Sequence, residues 1–266
     1  MDIKSLILSG NLQQAREQLT TELKKSPSNH ALRTMLFQVL LFFGELGKAQ
    51  NHLNILGTSS QNAQTGHKVY SDLILAEQER REVFQFKKQP SFLPETPDYR
   101  DDYLNAMEYV RNNEYDNALK LVNKIDIQRP DIKGTINDES FNSFSDTDIF
   151  LSCFIEIFEY DRYLLVPLES IREIIIEPPQ SLFDLIWIKA NITTWNNLTI
   201  GCFLPVLYPE SYLHDDDMVK MGKLTDWKTI CGSFSKAVGQ HVYQAGDKEI
   251  PILEIRTINF DNQPKK

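Results

Sequence analysis

Few side chains in this chain have the types and spacing that chemistry needs. Glu156 with Glu159, and Glu77 with Glu79, are paired carboxylates that could divide acid and base work at a cleft, if their surroundings drove their pKa values apart. Glu156 stands in strand register among Phe154, Ile155 and Ile157, so a solvated sheet face is expected for it. His214 followed by Asp215, Asp216 and Asp217 offers hard oxygen ligands, yet the run is contiguous and ends in Met218. A calcium loop instead alternates its ligands around a glycine and closes on a glutamate, so a charged loop is the better reading. His30, His52, His67 and His241 have no Cys or His at ligand spacing and read as helix-surface, helix-start or core residues. Gly232-Ser233-Phe234-Ser235 lacks the second glycine of a nucleophile elbow, and no glycine-rich dinucleotide or phosphate loop occurs. The sequence therefore assigns no catalytic, cofactor-binding or metal-binding residue, and no cofactor is expected. An enzyme in the C-terminal half, using Glu156, His214 or Asp216, is the competing reading.

The elements around these residues carry more information. Gly10, Asn11, Leu12 and Ala15 are echoed 34 residues later by Gly44, Glu45, Leu46 and Ala49, and 34 is the tetratricopeptide period. In such a repeat a small residue turns the chain between antiparallel helices and an alanine lets the second pack closely on the first. Leu19 fills the apolar slot after Ala15, and Pro27 falls where a helix ends. A weaker copy lies at Asn113, Glu114, Tyr115 and Ala118, offset 69 residues from Gly44, so a degenerate helical pair and an insertion are expected between. Apolar residues recur at helical spacing from residue 2 to about 126, giving six or seven helices, and Pro90, Pro94 and Pro97 break the array.

Beyond residue 130 the texture becomes β-like. A turn-rich stretch, Arg129 to Asp148, is expected as a linker or covering loop. Strand-length segments follow at 149–159, 163–166, 171–176, 185–192, 200–207 and 252–260, with a hairpin turn at Tyr160-Asp161-Arg162. The fold class expected is α+β: tetratricopeptide-like helical repeats in 1–130, packed on a mainly antiparallel β domain in 135–266.

Composition narrows the partners. A formal charge of −9 argues against nucleic acid, whose binders present clustered Lys and Arg. The longest apolar stretch, Met35 to Phe43, falls far below the roughly 20 residues of a membrane helix, so no membrane partner is expected. The opening MDIKSLILSG has no signal-peptide character, and Cys153, Cys202 and Cys231 sit singly in apolar or small-residue settings, pointing to the cytoplasm.

Several segments together resemble one family: Phe43-Gly44-Glu45-Leu46, Leu75-Ala76-Glu77 with Arg80, Pro167-Leu168-Glu169-Ser170-Ile171, Leu207-Tyr208-Pro209-Glu210-Ser211 and Met221-Gly222-Lys223-Leu224-Thr225-Asp226-Trp227. The chain is similar throughout to the ImpE family, also called SciE or TagJ, accessory proteins of the bacterial type VI secretion system. Tyr208, Pro209, Gly222, Thr225, Asp226 and Trp227 carry the most specific part of the likeness. The resemblance implies a non-enzymatic cytoplasmic adaptor that binds the N-terminal helix of the small contractile-sheath subunit, with assistance to the AAA+ ATPase that disassembles sheaths as a second implied role. The repeat spacing independently suggests a helix-binding groove. Its lining would be Thr34, Gln38 and Leu41 in one unit and Arg100, Tyr103 and Met107 in the third, where Met and Tyr offer adaptable and anchoring contacts and Arg100 pairs with an acid.

Overall fold

The computed structural model describes residues 2–58, 61–231 and 234–261, with the side chains of 61–63, 230, 231 and 234 left outside the description. The Gly232-Ser233 step and the Cys231 thiol considered above lie outside the described residues. The first half holds helices α1 (Ile3–Leu8), α2 (Leu12–Lys25), α3 (His30–Phe42), α4 (Leu46–Leu56), α5 (Gln61–Phe84), α6 (Arg100–Arg111) and α7 (Tyr115–Gln128). In α2 the buried residues are Leu12, Ala15, Leu19 and Leu23, an i, i+3/i+4 stripe that needs a partner face to be stable. Helix α3 starts where the Asn29 side chain accepts from the Leu32 amide at 3.1 Å, and it is buried from Leu36 through Phe42.

The three sequence echoes share one turn. Gly10, Gly44 and Asn113 have φ of 81°, 67° and 60°. The amide after each donates to the carbonyl five residues back: Asn11 to Leu6, Glu45 to Leu40 and Glu114 to Tyr109, at 2.9, 3.0 and 2.8 Å. This left-handed closure satisfies carbonyls at the end of one helix and aims the next one back along it. Between the second and third copies the expected helical pair is replaced by one helix, α5, of 24 residues. That stretch contains no proline and only an isolated glycine, Gly66, which is too weak a breaker to divide it.

The second half is built on a nine-stranded sheet. Its strands are β1 (Ser91–Phe92), β2 (Gly134–Ile136), β3 (Glu139–Phe141), β5 (Phe154–Glu159), β6 (Arg162–Pro167), β7 (Ile171–Ile176), β8 (Trp187–Thr194), β9 (Thr199–Pro205) and β14 (Thr257–Phe260). Around it lie β4 (Phe144–Asp146), β10 (Asp226–Cys231), β11 (Phe234–Val238), β12 (Val242–Ala245), β13 (Lys248–Pro251) and the short helix α8 (Asp217–Lys220). The order in the large sheet is β1-β6-β5-β9-β8-β7-β14-β2-β3, antiparallel except where β1 lies parallel to β6. The proline-rich segment thus contributes the edge strand that ties the helical half to the sheet. Residues 129–148, expected as a linker or loop, instead supply β2, β3 and β4, which at three residues each are too short to show a period of two.

Both faces of the sheet are covered, which corrects the expectation for Glu156. Phe154, Phe158, Tyr163 and Leu165 face the helices and join a core with Phe37, Phe42, Tyr103 and Ala118. Ile155, Ile157, Leu164 and Val166 point the other way, into a core with Phe144, Tyr243, Ile252 and Ile255. Glu156 shares the phase of Phe154 and Phe158, lies under α5, and is only 4% exposed.

Candidate functional site

Two features converge where helices meet sheet: a loop segment laced over the helical turns and a buried cluster of charges beneath it. The segment, residues 207–227, contains the family-like Tyr208, Pro209, Gly222, Thr225, Asp226 and Trp227. From it Tyr212 lies against Gly44, where an added Cβ would meet the ring at 2.4 Å, and Met218 lies against Gly10, where a Cβ would meet its sulfur at 2.2 Å. Both glycines are required by their positive φ, and Gly44 also by the close approach of the Tyr212 ring. Helix α2 has no side-chain cap from its own Asn11; its Gln13 amide donates to the Asp217 carboxylate at 3.0 Å. Arg81 donates to the Gly44 carbonyl at 2.8 Å, with its guanidinium 4.0 Å from the centre of the Tyr212 ring. Lys223 donates to the Leu8 carbonyl.

The signature side chains have internal work in the described contacts. Tyr208 donates its hydroxyl to Asp146 at 2.7 Å and accepts from the Val242 amide at 3.0 Å. Gly222, at φ of 67°, lets Leu207 and Gln240 pack over it, and the Gln240 side chain donates to its carbonyl at 2.6 Å. Thr225 donates to the Gln240 carbonyl at 2.8 Å. Asp226 faces His214 at 3.5 Å, and the exposed Trp227 donates its indole N–H to Thr147 at 3.1 Å. Asp216 caps α8 by accepting from the Met218 amide at 2.8 Å, so the acidic run near His214 serves helix starts. Among the described residues no group of three or more His, Cys, Asp or Glu could hold a metal ion.

Beneath the segment, Arg80 of α5 donates from Nε and Nη2 to Glu156 at 2.8 and 2.6 Å, and from Nη2 to the Leu207 carbonyl at 2.9 Å. Glu77 stands 3.4 Å away. His241 sits between Asp146 at 2.8 Å and Glu156 at 3.1 Å, and Tyr163 donates its hydroxyl to Glu156 at 2.7 Å. Burial pushes the Glu156 carboxyl up, but the Arg80 charge and the hydrogen bonds from His241 and Arg80 prevail and hold it at about 2. Burial pushes His241 down, yet Asp146 and the hydrogen bonds to both carboxylates raise it to about 8. Asp148, buried nearby and repelled by Asp146, rises to about 7 despite accepting amides from Ala237 and Phe150. Doubly protonated His241 and Arg80 balance Asp146 and Glu156, which is how buried charges are tolerated. The cavity that Arg80 and Tyr208 help to line is about 30 Å³, room for a water and not for a substrate.

Perturbed groups of this kind often mark active sites, but these serve as a pin between α5, β5 and the loop carrying His241. The solvated sheet face expected for Glu156 is overturned, whereas His241, expected as a helix-surface, helix-start or core residue, is buried in the core. Arg80 lies 76 residues from Glu156 and His241 95 residues from Asp146, so no local spacing signals the cluster.

The surface has clefts of binding size. One, about 500 Å³, runs between the end of α5 and α6, with Arg100, Leu104 and Met107 among its walls together with Val83, Phe86 and Lys87. Of the groove residues read from the sequence, Arg100 and Met107 thus line one cleft; Arg100 donates to Gln89 and Asp101 at 2.9 and 2.8 Å. Tyr103 is buried edge-on against Phe154, with ring centres 4.9 Å apart. Gln38 and Leu41 are buried within α3, and the Thr34 hydroxyl donates to the His30 carbonyl at 2.9 Å. No helix among the described residues is long and apolar enough to cross a membrane.

The family model described as ImpE protein matches residues 138–259, from β3 to β14. That match spans 122 of the 266 residues, nearly half of the chain. The chain is 28% identical over 261 residues to the type VI secretion system accessory component TagJ of Pseudomonas aeruginosa, an alignment covering 98% of this chain and 92% of that protein. A crystal structure of protein VPA1032 from Vibrio parahaemolyticus shares the fold, with a TM-score of 0.89, 23% identity and 98% of each chain covered.

Proposed function

We propose that this protein is a non-enzymatic, cytoplasmic accessory protein of a type VI secretion system, acting as an adaptor that holds a helix of the small contractile-sheath subunit. The observation that carries the reading is end-to-end similarity to TagJ, whose name assigns it to that machine as an accessory component. In this reading residues 1–130 are a tetratricopeptide-like binding domain and residues 135–266 a β-rich domain that braces it. The α5–α6 cleft supports it physically. Leu104 and Met107 offer apolar contact, and Arg100 and Lys87 a cationic edge, which suits an amphipathic helix laid in a groove. Assistance to the sheath-disassembling AAA+ ATPase follows in this reading from holding its sheath substrate.

Calorimetric titration with a synthetic peptide of the sheath subunit's N-terminal helix tests the proposal. Saturable one-to-one binding, weakened by more than about 1 kcal/mol in Arg100→Glu or Leu104→Glu, is expected for contacts central to an interface. Absence of binding by both the peptide and the full-length subunit would overturn the adaptor reading. Wild-type affinity in both variants would move the binding site elsewhere.

A further inference from the structure

A second cleft, about 580 Å³, lies between α2, α3 and α4 and shares no lining residue with the α5–α6 cleft. Its floor is apolar: Leu23, Leu36 and Leu40 come from the helix stripes that face one another there. Its rim is cationic. Arg16, Lys24, Arg33 and Lys48 line it and no carboxylate does, on a chain whose formal charge is −9. Glu45, just outside, pairs with both Arg16 and Lys48 at 2.5 Å. Among the described residues no carboxylate stands within ion-pair distance of Lys24 or Arg33. Arg33 spends its donors on the Pro27 carbonyl at 2.5 Å and on His52 at 3.3 Å. Burial, followed by the neighbouring Arg33 charge, holds His52 below the ordinary histidine range, so no protonated histidine adds to the rim at neutral pH. One carboxylate against four cations leaves the rim strongly positive.

We propose that this cleft docks an acidic amphipathic helix of a partner protein, its apolar face on Leu23, Leu36 and Leu40 and its carboxylates on Lys24 and Arg33. Positive rim and apolar floor are complementary to such a helix in both charge and hydrophobicity. A nucleic acid fits less well, because the lining offers no Phe, Tyr or Trp ring to stack a base and the acidic chain as a whole repels a polyanion. The proposal concerns a surface separate from the α5–α6 cleft and stands or falls independently of the sheath-helix reading.

Fluorescence anisotropy with the full chain tests it. The probe is a labelled peptide of about 14 residues with leucine on one helical face and glutamate on the other, beside a copy with lysine for glutamate. Saturable binding of the glutamate peptide is expected, weakened at least about tenfold by the double reversal Lys24→Glu with Arg33→Glu and by raised ionic strength, and unchanged in Lys189→Glu, at an exposed position of β8. A photocrosslinking copy of the peptide should label α2, α3 or α4 of the unaltered chain, which keeps the test valid if the double variant fails to fold. No binding, equal affinity for the lysine peptide, indifference to the double reversal in a folded variant, crosslinks confined to other elements, or displacement by a single-stranded oligonucleotide would each overturn the proposal.

Discussion

Replacing Arg80 by methionine keeps most of the apolar stem and removes the guanidinium. Arg80 is 2% exposed, and the change deletes two hydrogen bonds to Glu156 at 2.8 and 2.6 Å and one to the Leu207 carbonyl at 2.9 Å. Glu156, itself 4% exposed, would keep only Tyr163 and His241 as hydrogen-bond partners. Breaking a buried pair from one side costs about 3–5 kcal/mol, because the remaining charge is neither solvated nor compensated. At about 2–4 °C per kcal/mol for chains of comparable length, the melting temperature should fall by roughly 10 °C. Denaturant unfolding followed by circular dichroism measures the loss, and an unchanged slope would show that compactness is kept. The double variant Arg80→Met with Glu156→Gln should recover part of it, since neither charge is then buried alone. A loss below about 1 kcal/mol, or strictly additive effects in the double variant, would refute the account of this cluster as a pin between helix and sheet.

Three further outcomes follow from the same geometry. His241 is raised from 6.5 to about 8, so its contribution is complete below pH 6.5 and is lost as pH rises through 8; Asp148, raised from 3.8 to about 7, likewise costs stability as pH rises. Glu156 is depressed from 4.5 to about 2 and contributes above pH 4.5, while Asp148 costs stability from pH 3.8 upward, so unfolding midpoints should peak near pH 4 and fall toward pH 8.5; a flat profile there would contradict the assigned partners. Gly44→Ala forces a side chain into positive φ and against Tyr212, and should cost about 2–3 kcal/mol by denaturant midpoint, with a smaller loss in a Tyr212→Ala background. Asp217→Ala removes the carboxylate that serves the α2 N-terminus and should cost about 1 kcal/mol; a loss no greater than that of Asp215→Ala would show that the cap contributes nothing.

The helical half was readable because its signals are local. The echoes at Gly10, Gly44 and Asn113 mark three turns closed in the same way, and Leu12, Ala15 and Leu19 mark a face. What the echoes could not reveal is the second reason for glycine at position 44: Tyr212 arrives from more than 160 residues away. The central strands announced themselves by apolar β-branched segments, whereas β2, β3 and β4 are three residues long and polar in places, and periodicity needs more. Glu156 misled because alternation gives phase and does not say which face is covered; with both faces covered, an acid in the phase of Phe154 had to find Arg80. The groove residues divide on the same ground, since Tyr103 and Gln38 lie on helix faces turned to the interior while Arg100 lies at a cleft.

The position of β14 sets the order in which this molecule can be completed. The final strand, Thr257–Phe260, lies between β7 and β2, pairing Ile258 with Ile174 on one side and Ile136 on the other. Until residue 260 has left the ribosome, β7 and the β2–β3 hairpin each present an open edge with nothing to join them. A nascent or prematurely terminated chain therefore carries two unpaired borders, the one at β7 rich in isoleucine, the condition in which chains associate with one another or are held by chaperones. The strand at 257–260 is the keystone that closes the sheet between β7 and β2.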